Sequence, residues 1–507
     1  MDEQILNHHS PFTIQFMSYL SLTFILLYFF VLVLLAIYGL HRYLMVYLYY
    51  KYKRRATQVK PEAPLTAYPD VTIQLPLYNE QYVTERLIET VCRIDYPKEH
   101  LEIQVLDDST DETQAIARAC VDRYFEQGFD IQYIHRTDRV GYKAGALREG
   151  LMNARGEFIA IFDADFIPPT DILHNILPGF SDERVGMIQT RWAYLNREYS
   201  LLTQVQAIML DGHFIMEHGA RSQSGRFFNF NGTAGMWRRK SIDDAGGWQH
   251  DTLTEDLDLS YRAQLKGQRF IFLEDVESPS ELPIEMNAFK SQQHRWSKGS
   301  IQTAKKLLPT VLRSALPFRV KLEAIFHLTN NMAYVLMMML SILMFPSIVI
   351  RVQAGWISSF WIDLPFLMAA TISVSLFYLF SEREVDRVQW KRRILYLPFL
   401  MSIGIGICIN NTKAVIEALI GHWSAFQRTP KYGIQGRKGH RKWTKNSGLK
   451  TWLPLLELLF AFHFALLIYY TAVNKIYSSI PFLFLFFIGF LYVGVASVWP
   501  SGNRSVR

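Results

Sequence analysis

The sequence predicts an α/β protein whose mostly parallel sheet is inserted among α-helical membrane segments. Three observations carry that prediction. Apolar runs of membrane length flank a middle of mixed composition. That middle alternates short apolar strands with helical stretches. Acidic pairs stand where two of those strands end.

The 507 residues exceed one ordinary soluble core, and the 50 % that are apolar are unevenly spread. No charged side chain occurs from Met17 to Leu40, a stretch that at ~1.5 Å per residue can cross a hydrocarbon core of ~30 Å. Its core is longer than the ~7–15 residues of a signal peptide, and no basic segment precedes it. Similar runs occur at Phe326–Ile350, Trp361–Phe380, Trp452–Ala472 and Pro481–Trp499. Three units follow: an N-terminal transmembrane helix within 1–50, a globular domain over 68–319 with interface helices near its end, and a C-terminal transmembrane region over 320–507. The basic cluster Lys51-Tyr52-Lys53-Arg54-Arg55 follows the first run, so the positive-inside rule puts the globular domain in the cytoplasm.

Within the globular domain, Val71–Pro76 reads as a buried strand and Glu85–Arg93 as a helix. Leu101–Leu106 is a second strand, ending on Asp107-Asp108. Ser109-Thr110-Asp111-Glu112 carries capping residues before a helix over Ala115–Phe125. A third strand, Ile131–His135, a helix, Lys143–Ala154, and a fourth strand, Phe158–Phe162, lead to Asp163. This alternation implies parallel strands with helices on both faces, and ligands of such sheets bind at the carboxyl ends of the strands. In the C-terminal region, the apolar stretch Ile394–Ile409 lies between two basic segments. Spanning would put one of them outside, so segment 394–423 reads as interfacial or re-entrant, followed by a basic loop over 424–450.

Cys92, Cys120 and Cys408 have neither metal nor disulfide spacing. Asn231-Gly232-Thr233 matches a glycosylation sequon that a cytoplasmic domain would leave unmodified. The net charge of +7 lies largely beside the apolar runs, which suits anionic lipid and an anionic nucleotide and argues against a nucleic-acid partner.

Four motifs carry chemistry. Asp163 and Asp165 flank one alanine, and alternation along a strand would turn both carboxylates to one ligand, as a hard divalent cation shared with phosphates requires. Alone, the pair also fits two solvated acids. Asp107-Asp108 suits a nucleotide contact or a helix cap. Thr254-Glu255-Asp256 opens a helix, where Thr254 or a neighbour can cap; that position lowers a carboxylate's pKa, so Asp256 as a base needs desolvation. Gln292, Arg295 and Trp296 share one helix face, where Arg grips a diphosphate and Trp offers a sugar platform; a membrane-surface helix carries the same residues. Lys143, at a helix start, is aimed at phosphate. Asn229–Gly235, with Asn231, Gly232 and Thr233, is a polar-aromatic loop suited to an acceptor.

The ordered set resembles the inverting, often processive membrane glycosyltransferases of family 2. Its longer strings, Leu106–Asp111, Gly141–Leu147, Phe230–Gly235 and Gln292–Trp296, look most like the cellulose synthase-like A and C groups and their bacterial relatives, which make mannan, glucomannan or glucan. The resemblance implies a nucleotide-sugar-binding domain of the glycosyltransferase A type in a plasma, inner or Golgi membrane. Asp107 or Asp108 would contact the nucleotide, and Asp163 and Asp165 the donor diphosphate and a Mg²⁺ or Mn²⁺ ion. Asp256 would be the base within the catalytic Thr254-Glu255-Asp256 motif. Gln292 and Arg295 would hold donor and Trp296 acceptor. Phe426, Arg428, Thr429 and Lys431 stand where the family has a gating loop, though Arg428 replaces its Val and Pro430 stands before Lys431. The implied reaction moves a hexose from GDP-mannose or UDP-glucose to a growing β-glycan. Transfer to a glycolipid acceptor is the alternative. A non-catalytic membrane scaffold would show a broken acidic motif, and none is broken.

Overall fold

The computed structural model describes residues 11–56, 67–356, 360–422, 428–436 and 452–499. Phe426 and most of the basic loop 424–450 lie outside them.

The globular domain is built on one seven-stranded sheet: β1 (Val71–Leu77), β2 (Leu101–Asp107), β3 (Asp130–His135), β4 (Phe158–Ile161), β5 (Val185–Tyr194), β6 (Gly235–Arg238) and β7 (Arg269–Ser280). Their order across the sheet is β3-β2-β1-β4-β6-β5-β7. The first four strands are parallel, as the alternation predicts. Then β6 runs antiparallel between β4 and β5, and β7 returns parallel to β5. Sequence periodicity did not find β5, β6 or β7. β6 has only four residues, and β5 carries polar Gln189, Thr190 and Arg191 at its middle.

Helices cover both faces. Val71, Ile73, Leu75 and Val105 pack under helices Thr84–Cys92 and Thr113–Glu126. Leu106, Ile159 and Ile161 pack under helix Tyr142–Asn153, with Trp237 in the same cluster. Buried polar side chains of β1 pair with those of β2 in register. Thr72 donates to Glu102 at 2.6 Å and Gln74 to Gln104 at 3.0 Å, each across the β1–β2 pair. Unpaired, such groups would each cost about 1–3 kcal/mol.

Among the described residues, five helices are long and apolar enough to cross a membrane: Tyr19–Lys53, Met332–Gln353, Trp361–Val385, Leu453–Val473 and Tyr477–Val498. The expected interfacial segment is a bent pair, Trp390–Gly406 and Cys408–Ile420, at 43°. Its second half is tied to the helix Met286–Arg313: Lys298 pairs with Glu417 at 2.9 Å, and Lys305 donates to the carbonyls of Ala418 and Leu419. The N-terminal helix runs on from its apolar stretch to Ala56. There Met45, Leu48 and Tyr49 share one core with Leu202, Ile208, Ile215 and Phe289 of the globular domain. Apolar helices and catalytic-type domain are thus packed as one body.

Candidate active site

The strand ends place the first acids. Asp107, the last residue of β2, is fully buried. Its carboxylate accepts from the Ser109 N–H at 3.0 Å and the Tyr133 hydroxyl at 2.7 Å. It does not line the cleft, whereas Asp108 does. Arg136 holds Asp108 with two bonds, Nε–Oδ1 at 2.7 Å and Nη2–Oδ2 at 2.5 Å, and donates on to the carbonyls of Val140 and Tyr142. Asp108 therefore shapes the turn that aims Lys143.

Asp163 and Asp165 correct a second expectation. β4 ends at Ile161, so both lie in the following turn rather than on the strand. They still face one cleft. Lys143 Nζ pairs with Asp163 and donates to the Gly232 carbonyl at 2.9 Å. Burial pushes the Asp163 carboxyl up, against the lowering effect of Lys143. Asp165 accepts from Lys431 at 2.5 Å. Each carboxylate keeps a second oxygen. Among the described residues no third His, Cys, Asp or Glu completes a cluster able to hold a metal alone. Two carboxylates suit an ion whose remaining ligands are phosphate oxygens and water, and so the pair fits Mg²⁺ or Mn²⁺ in that shared form.

Thr254-Glu255-Asp256 opens the helix Glu255–Leu265, but the Thr254 side chain makes no cap bond. It packs against Gly299 instead. A Cβ there would stand 2.5 Å from Thr254 Cγ2, so the helix Met286–Arg313 reaches the motif only because residue 299 is glycine. Asp256 accepts from the Leu257 N–H at 2.8 Å. The helix N-terminus would favour the anion, yet burial and then the adjacent Glu255 carry Asp256 up to about 7. Desolvation thus wins over the helix end, as a base at neutral pH requires. Burial, against the pull of Lys143, likewise raises Glu255.

The tripeptide Asn231-Gly232-Thr233 joins these parts. Thr233 Oγ1 accepts from the Asp163 N–H at 2.8 Å but lies beneath the cleft wall. Gly232, at φ +80°, sits so close to Asp256 that a Cβ would meet Oδ2 at 3.1 Å. Asn231 lines the cleft. From the other side the helix Met286–Arg313 contributes Gln292, Arg295 and Trp296 to the same cleft. Burial lowers the Arg295 pKa, and the carboxylates of Glu255, Asp163, Asp256 and Asp165 oppose that shift.

The segment 428–436 closes one flank. Arg428 donates to Glu80 at 3.1 Å and to the Asn79 carbonyl. The N–H groups of Tyr432 and Gly433 both donate to Glu281 at 2.9 Å. Arg428, Thr429 and Lys431 line the cleft; Phe426 is outside the described residues. Tyr78, Glu80, Trp192 and Glu281, absent from the sequence reading, also line it. Burial pushes Glu80 up to about 8, against Arg428. Arg139 stacks on the Tyr78 ring at 3.3 Å from its centroid. Tyr78 and Glu80 directly follow β1, so the strand-end rule that marked Asp108 marks them too.

A second cavity shares Trp192, Asn231, Asp256, Gln292 and Trp296 with the first and continues to Tyr334, Phe377 and Tyr378 of the apolar helices. Cleft and apolar helices thus meet at Asp256 and Trp296.

The chain is similar to known proteins. In curated sequences it is 42 % identical over 259 residues to glucomannan 4-beta-mannosyltransferase 1 of Oryza sativa subsp. japonica, covering 50 % of each chain. It is 41 % identical over 270 residues to glucomannan 4-beta-mannosyltransferase 2 of Arabidopsis thaliana, covering 52 % of this chain and 50 % of that one. The chain therefore spans about half the length of the curated relatives it matches. Among solved structures, the mannosyltransferase PcManGT from Pyrobaculum calidifontis, in complex with GDP-Man and Mn2+, aligns with a TM-score of 0.51 at 20 % identity, covering 78 % of this chain and 99 % of that one. At that identity the likeness is one of fold. Residues 69–299 match the glycosyltransferase like family 2 profile, and with all four motifs inside that stretch the segment is a glycosyltransferase family 2 domain.

Proposed function

We propose that this protein is a membrane-embedded glycosyltransferase that moves mannose from GDP-mannose to the non-reducing end of a β-linked glycan, with inversion and with passage of the product along the apolar helices. The observation that carries the reading is the meeting of Asp163, Asp165, Asp256, Arg295 and Trp296 in one cleft that continues into a cavity between apolar helices. The names of the two plant relatives support mannose over glucose.

In this mechanism Asp256 takes the proton of the acceptor hydroxyl as that oxygen attacks the anomeric carbon opposite the leaving diphosphate. Arg295 and Lys143 supply positive charge beside the phosphates from fixed positions. Asp163 and Asp165 would hold a divalent ion, which when bound offsets charge on the departing nucleoside diphosphate. Trp296 carries the acceptor sugar on its face. Lys431 and Arg428 belong to a flap over the donor. The five long helices serve as spans, with the globular domain on the cytoplasmic side. The bent pair 390–420 lies at the membrane surface, a placement supported by its bend and by the charged Lys298–Glu417 contact.

Purified protein incubated with radiolabelled GDP-mannose and Mn²⁺ or Mg²⁺ should yield a polymer cut by a β-mannanase. Polymer from UDP-glucose alone would replace mannose by glucose. A single-sugar glycolipid as the only product would overturn the polymerase reading.

A further inference from the structure

The helix Leu201–Asp211 continues through a π-helical turn, Gly212–His218, into Gly219–Ser224. Such turns are rare and concentrate at functional sites. This one lines the second cavity with His213 and Glu217, while His218 is fully buried beside the Asn231 loop.

The hydrogen bonds along the turn run in one direction. His218 Nε2 lies 2.7 Å from Asn231 Oδ1 and 2.9 Å from the Asn229 carbonyl, two oxygens that can only accept. His218 therefore carries its proton on Nε2. Its buried Nδ1 has no partner among the described residues, and burial holds the ring neutral, well below the usual histidine range. With Oδ1 accepting, the Asn231 amide is fixed, and its Nδ2 must be the donor to His213 Nε2 at 2.9 Å. His213 then holds its proton on Nδ1 and gives it to Glu217 Oε2 at 3.0 Å. Burial opposes ionisation of Glu217, but Arg221, His213 and Arg42 outweigh it and keep the carboxyl well below its ordinary range. Arg221 approaches it at 3.3 Å and Arg42, from the N-terminal helix, at 3.6 Å.

One rotamer and one polarity satisfy this chain. Asn231 is left with a second amide hydrogen, on a residue that lines both cavities. The next residue, Gly232, stands so near Asp256 that a Cβ there would lie 3.1 Å from Oδ2, which puts Asn231 and the base in one corner of the site. Arg42, the arginine of that cavity wall, is answered by Glu217, and Arg221 is shared with Glu323 at 2.9 Å. A neutral polyhydroxyl acceptor suits such a wall better than a lipid phosphate, which would need an unanswered cation.

Resting on the transfer reading above, we propose that His213 and Glu217 are positioning residues for the acceptor: through Asn231 they orient a neutral sugar hydroxyl toward Asp256.

The test separates acceptor from donor kinetics. The full-length protein in detergent is assayed with a β-1,4-manno-oligosaccharide and with GDP-mannose, each varied at saturating levels of the other. His213→Ala and Glu217→Ala should each raise the acceptor KM about tenfold, as expected for one lost hydrogen bond at a charged relay, with donor KM within about twofold. The double variant should be no worse than His213→Ala, since the two act through one chain. His213→Gln, whose carbonyl accepts from Asn231, should recover part of the loss. Asn231→Asp decides the matter if His213→Ala loses its fold: it still accepts from His218 but cannot donate to His213, and it should show the same acceptor defect. An unchanged acceptor KM, an equal rise in donor KM, or multiplying effects in the double variant would overturn the relay. No transfer by the wild-type protein from any nucleotide sugar would instead overturn the reading beneath it.

Discussion

Lys431 stands 2.5 Å from Asp165 across a sequence separation of 266 residues. The basic segment downstream of the bent pair thus reaches one of the two carboxylates proposed to share a divalent ion. An ammonium and a dication at one carboxylate compete. Lys431→Met should therefore lower the Mn²⁺ concentration that gives half-maximal transfer several-fold, read by metal titration at fixed donor. A higher requirement would mean that Lys431 helps to hold the metal-bound donor instead.

Asp256 is carried up to about 7 by burial and then by Glu255. A base works only as the anion, so kcat should fall about tenfold per pH unit below that value. A pH profile with its acid limb near 4 would remove Asp256 from the role, as would turnover retained in Asp256→Asn. That variant should abolish transfer and keep GDP-mannose binding. The linkage sign is also fixed. A carboxyl raised in the native state favours folding less as pH rises from about 4 through 7. Asp256→Asn should therefore melt higher than wild type at pH 8, and the difference should shrink at pH 5.

Gly299 allows the helix of Gln292, Arg295 and Trp296 to touch Thr254. A methyl group there would stand 2.5 Å from Thr254 Cγ2 and 2.6 Å from Oγ1. Gly299→Ala should cost about 1–3 kcal/mol as overpacking and lower kcat more than donor affinity, because the displaced helix carries Trp296 away from Asp256. Thr254→Ser removes the clashing methyl carbon and should restore part of the activity in the Gly299→Ala background.

Lys290, on that same helix, pairs with Glu457 of Leu453–Val473 at 2.5 Å, and both are buried. Removing one partner leaves a buried charge. Lys290→Met or Glu457→Gln should each lower stability by about 3–5 kcal/mol, while the apolar double replacement should recover most of it. Thermal melts in detergent measure this. A double variant as unstable as the singles would show that the ion pair has a further role in fixing the helix.

Much of this architecture was legible in order along the chain. The parallel strands β1 to β4 follow from apolar runs of strand length, and the membrane-length helices from runs without charge. Asp108, Asp163, Asp165 and Asp256 follow from acids placed after strands or at a helix start. Gln292, Arg295 and Trp296 follow from helical spacing, which is local and survives into the fold.

What the sequence by itself determined, then, was the set of local periodicities and the identity of the acids and the Arg-Trp pair. Tertiary structure decided the rest, because burial and long-range pairing have no local signature. It withdrew Asp107 into a bond with Tyr133 and turned Thr254 from a cap into a packing surface for Gly299. It inserted β6 against the direction of β4 and β5, drew Glu80 and Glu281 to the loop that holds Lys431, and set Asn231 between two histidines of a π turn. Above all it reversed the sign of the shift on Asp256. A helix N-terminus is visible in sequence and favours the anion, whereas the desolvation that overrides it exists only once the surrounding elements have closed.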